Sequence, residues 1–236
     1  MAAPTRDFWQ ERFAANDTPW DRGEASPQLA AWLASGALTP CRMLVPGCGG
    51  GHEVAVLARA GFDVTALDYA PAAIALTRER LARANLRATL VQADALEWFP
   101  VTPFDAIYEQ TCLCALHPDQ WRIYADRVDA WLAPQGRLYA LFMQVMRPGA
   151  AEGRVEGPPY HCDVNAMRAL FPASRWEWPP PPYVRVPHPR GWAELAVVLA
   201  HRGEHGRVDP IRPRICCVRD DQCIAKSRFF VAGSSE

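Results

Sequence analysis

From Met43 onward the chain alternates short apolar runs with stretches of helical period. Met43 to Pro46 and Asp63 to Leu67 are brief apolar runs, and each is followed by a helical pattern, Glu53 to Ala60 and Pro71 to Ala84. Pro71 sits where a first helical turn tolerates proline, and Ile74, Leu81 and the alanines between them supply one apolar face. Arg87 to Gln92 and Phe104 to Tyr108 read as further strands. Pro118 opens a helix in which Trp121, Tyr124, Val128 and Trp131 recur at helical spacing, and Gly136 to Gln144 returns to a strand. Strands and helices in this alternation predict an α/β fold, a parallel sheet covered on both faces.

Beyond Val145 the alternation gives way to a loop ending in GPPY (Gly157 to Tyr160), a helix from Asp163 to Phe171, and a proline run from Pro179 to Pro182 that has to be extended. Glu194 to Ala200 reads as a last strand. From Arg202 the composition turns to Arg, Pro, Cys and Asp without a period, so residues 203–236 are read as a tail that the fold does not need. No internal repeat is evident.

Composition narrows the classes. Half of the 236 residues are hydrophobic, enough for one domain with a full core. Lys and Arg number 25 against 26 Asp and Glu, with no basic block to neutralise a phosphate backbone, so nucleic acid is not expected as a partner. The opening MAAPTRDFWQERF has no apolar segment of the kind a secretory signal needs, and Trp192 to Ala200 is interrupted by Glu194 and too short for a membrane span. A cytoplasmic protein with no membrane partner is expected. Eight cysteines without such a signal read as reduced thiols, most of them buried.

The segment LVPGCGGGHEVAVLARAGFDVTALD, Leu44 to Asp68, carries the first chemical signal. A dinucleotide fingerprint needs G-x-G-x-x-G, whereas Gly47, Gly49 and Gly51 give G-x-G-x-G and His52 stands at the next position. A P-loop is excluded because no Gly-Lys-Ser/Thr follows. A ligand with an adenosine but no phosphates would still want a closely approached backbone after the first strand and an acid after the second for its ribose hydroxyls. Asp68 stands at that second strand end, and Asp94, after the third, is placed for the adenine edge. Three such positions in order describe S-adenosylmethionine better than a nicotinamide cofactor.

The stretches DFWQERFAANDTPWDRGEASPQL, VPGCGGG, YEQTCLCALHPDQWRIYADR and GPPY together resemble the thiopurine S-methyltransferase family, and within it the branch of halide and thiol methyltransferases. The resemblance runs from about Asp7 to about Arg202. It implies a Rossmann-like class I methyltransferase domain over residues 1–202, with a seven-stranded, mostly parallel sheet whose last strand is antiparallel, and an N-terminal helical lid over about residues 1–35. It also implies cofactor contacts at Trp9, Phe13, Trp20, Gly47, Asp68, Asp94, Ala95 and Gln110, and a substrate contact at Tyr160. Phe13 and Gln110 stand where plant halide enzymes carry tryptophan and tyrosine. An aromatic lid suits a sulfonium cation, which is attracted to aromatic faces. Trp9 and Phe13, four apart on a helix, would equally pack into a core.

The implied reaction moves a methyl group from S-adenosylmethionine to a small soft nucleophile, a thiol, hydrosulfide, halide or thiopurine-like sulfur, leaving S-adenosylhomocysteine. An oxygen or nitrogen acceptor, an oxidoreductase and a non-catalytic binding protein are the competing readings. Direct transfer to such a nucleophile makes a general base optional, and no catalytic residue is assigned. Cys112 and Cys114 are read as pocket wall or core and not as nucleophiles. His117, before a helix-opening proline, is read as a cap. His201, His205, Cys216, Cys217 and Cys223 lack the C-x-x-C pairing of a zinc site, so no metal is expected. A monomer acting on a small molecule is expected.

Overall fold

The computed structural model describes residues 3–203. The tail read from 203 to 236 therefore lies, beyond its first residue, outside the described residues. Two short helices come first. α1 (Arg6–Ala14) begins where the Thr5 hydroxyl accepts from the Phe8 N–H at 3.2 Å, and α2 (Pro27–Ala34) is capped by Ser26 with proline in its first turn. Then follow β1 (Arg42–Pro46), α3 (His52–Arg59), β2 (Asp63–Asp68), α4 (Pro71–Arg83), β3 (Thr89–Gln92), β4 (Phe104–Gln110), α5 (Trp121–Trp131), β5 (Leu132–Gln144), α6 (Val164–Leu170), β6 (Trp176–Glu177), β7 (Val184–Pro187) and β8 (Ala193–His201). Asp163 caps α6 by accepting from the N–H groups of Asn165 and Ala166. His117 accepts from the Asp119 N–H at 3.4 Å, the cap that its place before Pro118 suggested.

The strands form one sheet in the order β3-β2-β1-β4-β5-β8-β6, with β7 paired to β8. Pairings from β3 to β5 are parallel, and β8 runs antiparallel to β5, from Arg137↔Ala200 to Gln144↔Ala193. The expectation of seven strands is corrected to eight. The position beyond β8 is filled in two pieces, β6 against Ala200 and His201 and β7 against Ala193 to Ala196. Between them lies the run Pro179–Pro182, which has no N–H groups to give to a ladder.

Neighbouring residues of the central strands face opposite cores. Leu44 joins the core under α5 and α6 with Tyr124, Val128, Trp131 and Met167, while Met43 and Val45 join the core under α2, α3 and α4 with Trp32, Leu57, Ile74 and Leu81. A sheet buried on both faces is why β1 and β2 read as continuous apolar runs. The strand order reverses at β1, between β2 and β4. In an open parallel sheet the crevice at such a reversal, outside the carboxyl ends of the strands, is where a ligand fits. Among the described residues no helix is long and apolar enough to cross a membrane.

Candidate active site

One cavity occupies that crevice. β1 delivers its glycine loop, β2 delivers Asp68, the turn after β3 delivers Asp94 and Ala95, β4 delivers Gln110, and the N-terminal segment lays Trp9, Phe13 and Trp20 across the opening. Ten of the eleven residues singled out above line it. Tyr160 does not. It is buried at 2 % exposure with its N–H donating to the Cys114 carbonyl at 2.7 Å, and the cavity wall beside it is made by Pro158 and Pro159.

The loop conformation explains its glycines. Gly47 and Gly51 have φ of +59° and +73°, in the left-handed region that side chains with a Cβ avoid. A Cβ on Gly47 would stand 2.9 Å from that of Cys112, and one on Gly51 would stand 2.5 Å from Thr77 Oγ1. Side chains of α4 hold the loop in place: the Thr77 hydroxyl donates to the Gly49 carbonyl at 2.8 Å, and Arg80 Nε donates to the Gly50 carbonyl at 2.6 Å. The backbone can therefore be approached closely and is rigidly presented.

Asp68 sits at 7 % exposure and takes the Gly49 N–H on Oδ2 at 3.0 Å and the Ala70 N–H on Oδ1 at 2.9 Å. Burial outweighs these bonds and pushes its carboxyl up to about 6. Each oxygen keeps further acceptor capacity for hydroxyls from the cavity. Asp94 is fixed differently: its Oδ1 accepts from the Leu96 N–H at 2.8 Å, and its carbonyl accepts from the N–H groups of Glu97 and Trp98.

The aromatic segment packs before it covers. Trp9 and Phe13 are buried on Ala70 and Ala73 at the start of α4, and Trp20, half-buried, meets both edge-on with ring centroids 5.1 and 5.8 Å away. Gln10 accepts from the Ala72 N–H at 2.8 Å and pins the same contact. The two alternatives for Trp9 and Phe13, core packing and cavity wall, coexist because one edge of this small cluster is the cavity wall.

Beyond Gln110 the wall contains a buried polar group that the sequence did not announce. Gln110 Oε1 accepts from the Tyr108 hydroxyl at 2.7 Å, and its Nε2 donates to Glu194 Oε1 at 2.9 Å. Glu194 has no exposed surface, and burial pushes its carboxyl up to about 7. Thr111, next in the chain and also at the cavity, holds φ of +66°, unusual for a β-branched residue and a mark of backbone held under strain at a wall. Asp21, Arg22, His52 and Glu53 complete the polar rim, with Asp21 Oδ1 3.1 Å from His52 Nε2. The hydrogen bond from His52 holds the Asp21 carboxyl below the usual range. Asp21 and Arg22 lie in the quoted TPWDRG, whereas Glu53 and Glu194 offered no more than an acid within an apolar pattern.

Cys112 and Cys114 do form pocket wall, and burial pushes both thiols well above their ordinary range, which removes the thiolate that a nucleophile requires. Among the described residues no group of three or more His, Cys, Asp or Glu side chains is placed to hold a metal ion. His201 pairs with Asp129 at 3.0 Å, and the four other members of that set, His205, Cys216, Cys217 and Cys223, lie outside the described residues.

The donor set fits an adenosyl sulfonium ligand: a glycine cradle, a buried carboxylate with spare acceptor capacity, and aromatic faces at the opening. Comparison with known proteins points the same way. The sequence model of the thiopurine S-methyltransferase family matches residues 4–178. Thiocyanate methyltransferase 1 of Arabidopsis thaliana is 31 % identical over 165 residues, 69 % of this chain and 70 % of that one. Probable thiol methyltransferase 2 of the same plant is 31 % identical over 173 residues, 72 % and 74 % of the two chains. Among solved structures, the 1,6-didemethyltoxoflavin-N1-methyltransferase of Burkholderia thailandensis, solved with S-adenosylhomocysteine bound, superposes with a TM-score of 0.67 at 22 % identity, covering 86 % of this chain and 92 % of that one. The N-methyltransferase NodS of Bradyrhizobium japonicum gives 0.64 at 22 % identity, covering 82 % and 97 %. At that identity these two speak for the fold alone.

Proposed function

The chain belongs to the thiopurine S-methyltransferase family, and from that premise we propose how its cavity carries out S-adenosylmethionine-dependent methyl transfer and which acceptors it takes. The acceptor is a small soft nucleophile, a thiol, hydrosulfide, thiocyanate, halide or thiopurine-like sulfur. The single observation that carries this reading is the convergence of the Gly47–Gly51 loop, Asp68, Asp94 and the Trp9–Phe13–Trp20 cluster on one cavity at the strand ends.

In this reading Asp68 accepts from two ribose hydroxyls, Asp94 and Ala95 border the adenine, and the loop from Gly47 to Gly51 lets the backbone close on the ligand. When bound, S-adenosylmethionine supplies an electrophilic methyl group on a sulfonium sulfur, to which a thiolate or halide lone pair bonds as the old carbon–sulfur bond breaks. The chain's own part is orientation and exclusion of water, which can lower the barrier by several kcal/mol when an anion is stripped of its hydration. Trp9, Phe13 and Trp20 provide both. Cys114, Met143, Pro158 and Pro159 give the remaining wall an apolar, sulfur-rich character suited to a soft acceptor, and Tyr160 supports that wall from behind the prolines.

We further propose a single methyltransferase domain ending near residue 202, acting as a cytoplasmic monomer on a small molecule, without nucleic acid or membrane as partner. The formal charge of −1 supports the last point. An acceptor panel tests the function: matched thiol, alcohol and amine of one carbon skeleton, with hydrosulfide, thiocyanate and iodide. Sulfur and halide acceptors should turn over, and a preference for the alcohol or amine would move the protein to another acceptor class.

Trp20 is the first mutational test. Its half-buried ring meets Trp9 and Phe13 edge-on at the margin of the small N-terminal cluster, so Trp20→Ala should lower the melting temperature without ligand only slightly. Affinity for S-adenosylmethionine should fall by the roughly 0.5–2 kcal/mol of a cation–π contact, with methyl transfer falling alongside. A sharp drop in melting temperature with normal cofactor affinity in the folded remainder would make Trp20 an anchor of the N-terminal segment instead.

A further inference from the structure

We propose that Glu194 is a positioning residue that couples closure of the N-terminal lid to the orientation of the Gln110 amide. This rests on the reading of the cavity as a methyl-transfer site. Glu194 sits near the start of β8, paired on one side with Met143 of β5 and on the other with Val186 of β7. Nothing in the strand's architecture calls for an acid there, since its neighbours in β8 are apolar and a carboxylate with no exposed surface is costly to bury unless it is answered.

It is answered from two directions. Oε1 accepts from Gln110 Nε2 at 2.9 Å, and Oε2 lies 3.5 Å from Arg22 Nη1. Arg22 belongs to the N-terminal segment, 172 positions away in sequence, and its other terminal nitrogen donates to the Pro187 carbonyl at 2.9 Å. The same stretch of lid is tied to the same turn of the sheet by backbone carbonyls. Arg190 Nε donates to the Pro19 carbonyl at 2.8 Å, and His188 Nε2 bonds the Trp20 carbonyl at 3.1 Å while its Nδ1 accepts from the Arg190 N–H. That pairing fixes His188 as the neutral tautomer with its proton on Nε2.

Two of these four ties hold the lid's backbone, and they would do so for any side chain at Arg22. The Arg22–Glu194 pair differs because the carboxylate is shared with a residue that lines the cavity. While it accepts from Nε2, the amide of Gln110 has to present that edge to Glu194 and give its oxygen to Tyr108, which leaves the second amide N–H without a partner among the described residues. Lid position and the hydrogen-bonding face of Gln110 are thus set by one carboxylate. A merely structural ion pair would influence stability and leave turnover alone.

The test compares E194Q, R22Q, R22K and the double variant R22Q/E194Q. Apo melting temperature, S-adenosylmethionine affinity by calorimetry, and kcat and KM with hydrosulfide are measured for each. E194Q keeps the volume and removes a buried charge, so its melting temperature should hold or rise, while kcat falls roughly tenfold or more and cofactor affinity weakens severalfold. R22Q should match its losses in kcat and affinity, with a lower melting temperature because it leaves Glu194 unanswered and gives up the bond to the Pro187 carbonyl. R22K should recover most of the loss, and in kcat and affinity the double variant should be no worse than the poorer single because both act through the same carboxylate. The proposal is overturned if E194Q and R22Q keep wild-type kcat and affinity, if their losses multiply in the double variant, or if melting temperature falls while the folded fraction turns over normally. Should E194Q fail to fold, the R22Q and R22K pair decides alone. If the wild type methylates no sulfur acceptor, the functional reading has failed separately, and the coupling is judged on cofactor affinity.

Discussion

Replacing Asp68 by alanine is expected to weaken S-adenosylmethionine binding by on the order of a hundredfold. Two hydrogen bonds from ribose hydroxyls to a buried carboxylate are worth roughly 1.5–3 kcal/mol each, and water entering the vacated space returns only part of that. The substitution also frees the Gly49 and Ala70 N–H groups that the carboxylate now accepts from, so some loss of loop order contributes. Titration separates the two effects without a mutation. The Asp68 carboxyl is raised from 3.8 to about 6, so its protonated form is favoured in the fold. Its contribution to apo stability is therefore fully present below pH 3.8 and lost as pH rises through about 6. Glu109 and Glu194, each raised to about 7 by burial, add in the same direction slightly higher. Cofactor affinity moves the opposite way, because the ionised form accepts from both ribose hydroxyls in charge-assisted bonds, whereas the protonated acid commits one oxygen to its own proton. Calorimetry between pH 5 and 7.5 should show affinity climbing through about pH 6 while the apo melting temperature declines. Flat affinity over that range, together with wild-type affinity in a folded Asp68→Ala, would remove Asp68 from the site.

The second large effect is on the fold. Gly51→Ala should lower stability by roughly 2–5 kcal/mol, the sum of a left-handed backbone forced on alanine and an overpacked contact. The new Cβ would lie 2.5 Å from Thr77 Oγ1 and 2.7 Å from its Cγ2. Thr77 is fully buried and its hydroxyl holds the Gly49 carbonyl, so it cannot move aside without releasing the loop. For a domain of this size that corresponds to a melting temperature lower by on the order of 10 °C. Adding Thr77→Ala should restore only a small part of the loss, since it removes Oγ1 and Cγ2 but leaves the Cβ of residue 77 at 2.9 Å, the φ of +73° and the Gly49 carbonyl without its donor. A single variant that melts with the wild type would mean that the loop has another conformation open to it.

Much of this architecture was legible because it is local. β1, β2 and the helices after them are set by apolar period and by glycine and proline at fixed places, and the observed bounds differ from the expected ones by a residue or two. Asp68 and Asp94 were found because strand ends in a parallel sheet all open onto one crevice, so position along the chain stands in for position in space. β6 and β7 were missed. Each is a short edge piece of two to four residues that pairs only with β8, and nothing within such a stretch distinguishes it from loop. α2 lacked a long enough period to stand out. The polar group behind Gln110 was missed for a different reason: Arg22, Gln110 and Glu194 come from three distant parts of the chain, and an acid in an apolar strand reads as an interruption until its partners are seen. Tyr160 illustrates the converse, since GPPY marked the right stretch of wall while the cavity surface itself belongs to Pro158 and Pro159.

The central claim is methyl transfer from S-adenosylmethionine to sulfur at this cavity, and one measurement tests it most directly. The purified protein is mixed with S-adenosylmethionine carrying a labelled methyl group and with hydrosulfide, and methanethiol and S-adenosylhomocysteine are quantified together. The account predicts one labelled methyl group on volatile sulfur, as methanethiol and any dimethyl sulfide from a second transfer, for each S-adenosylhomocysteine formed, both falling in Asp68→Ala. Tight binding of S-adenosylmethionine with neither product formed from hydrosulfide, a thiol, thiocyanate or iodide would contradict it.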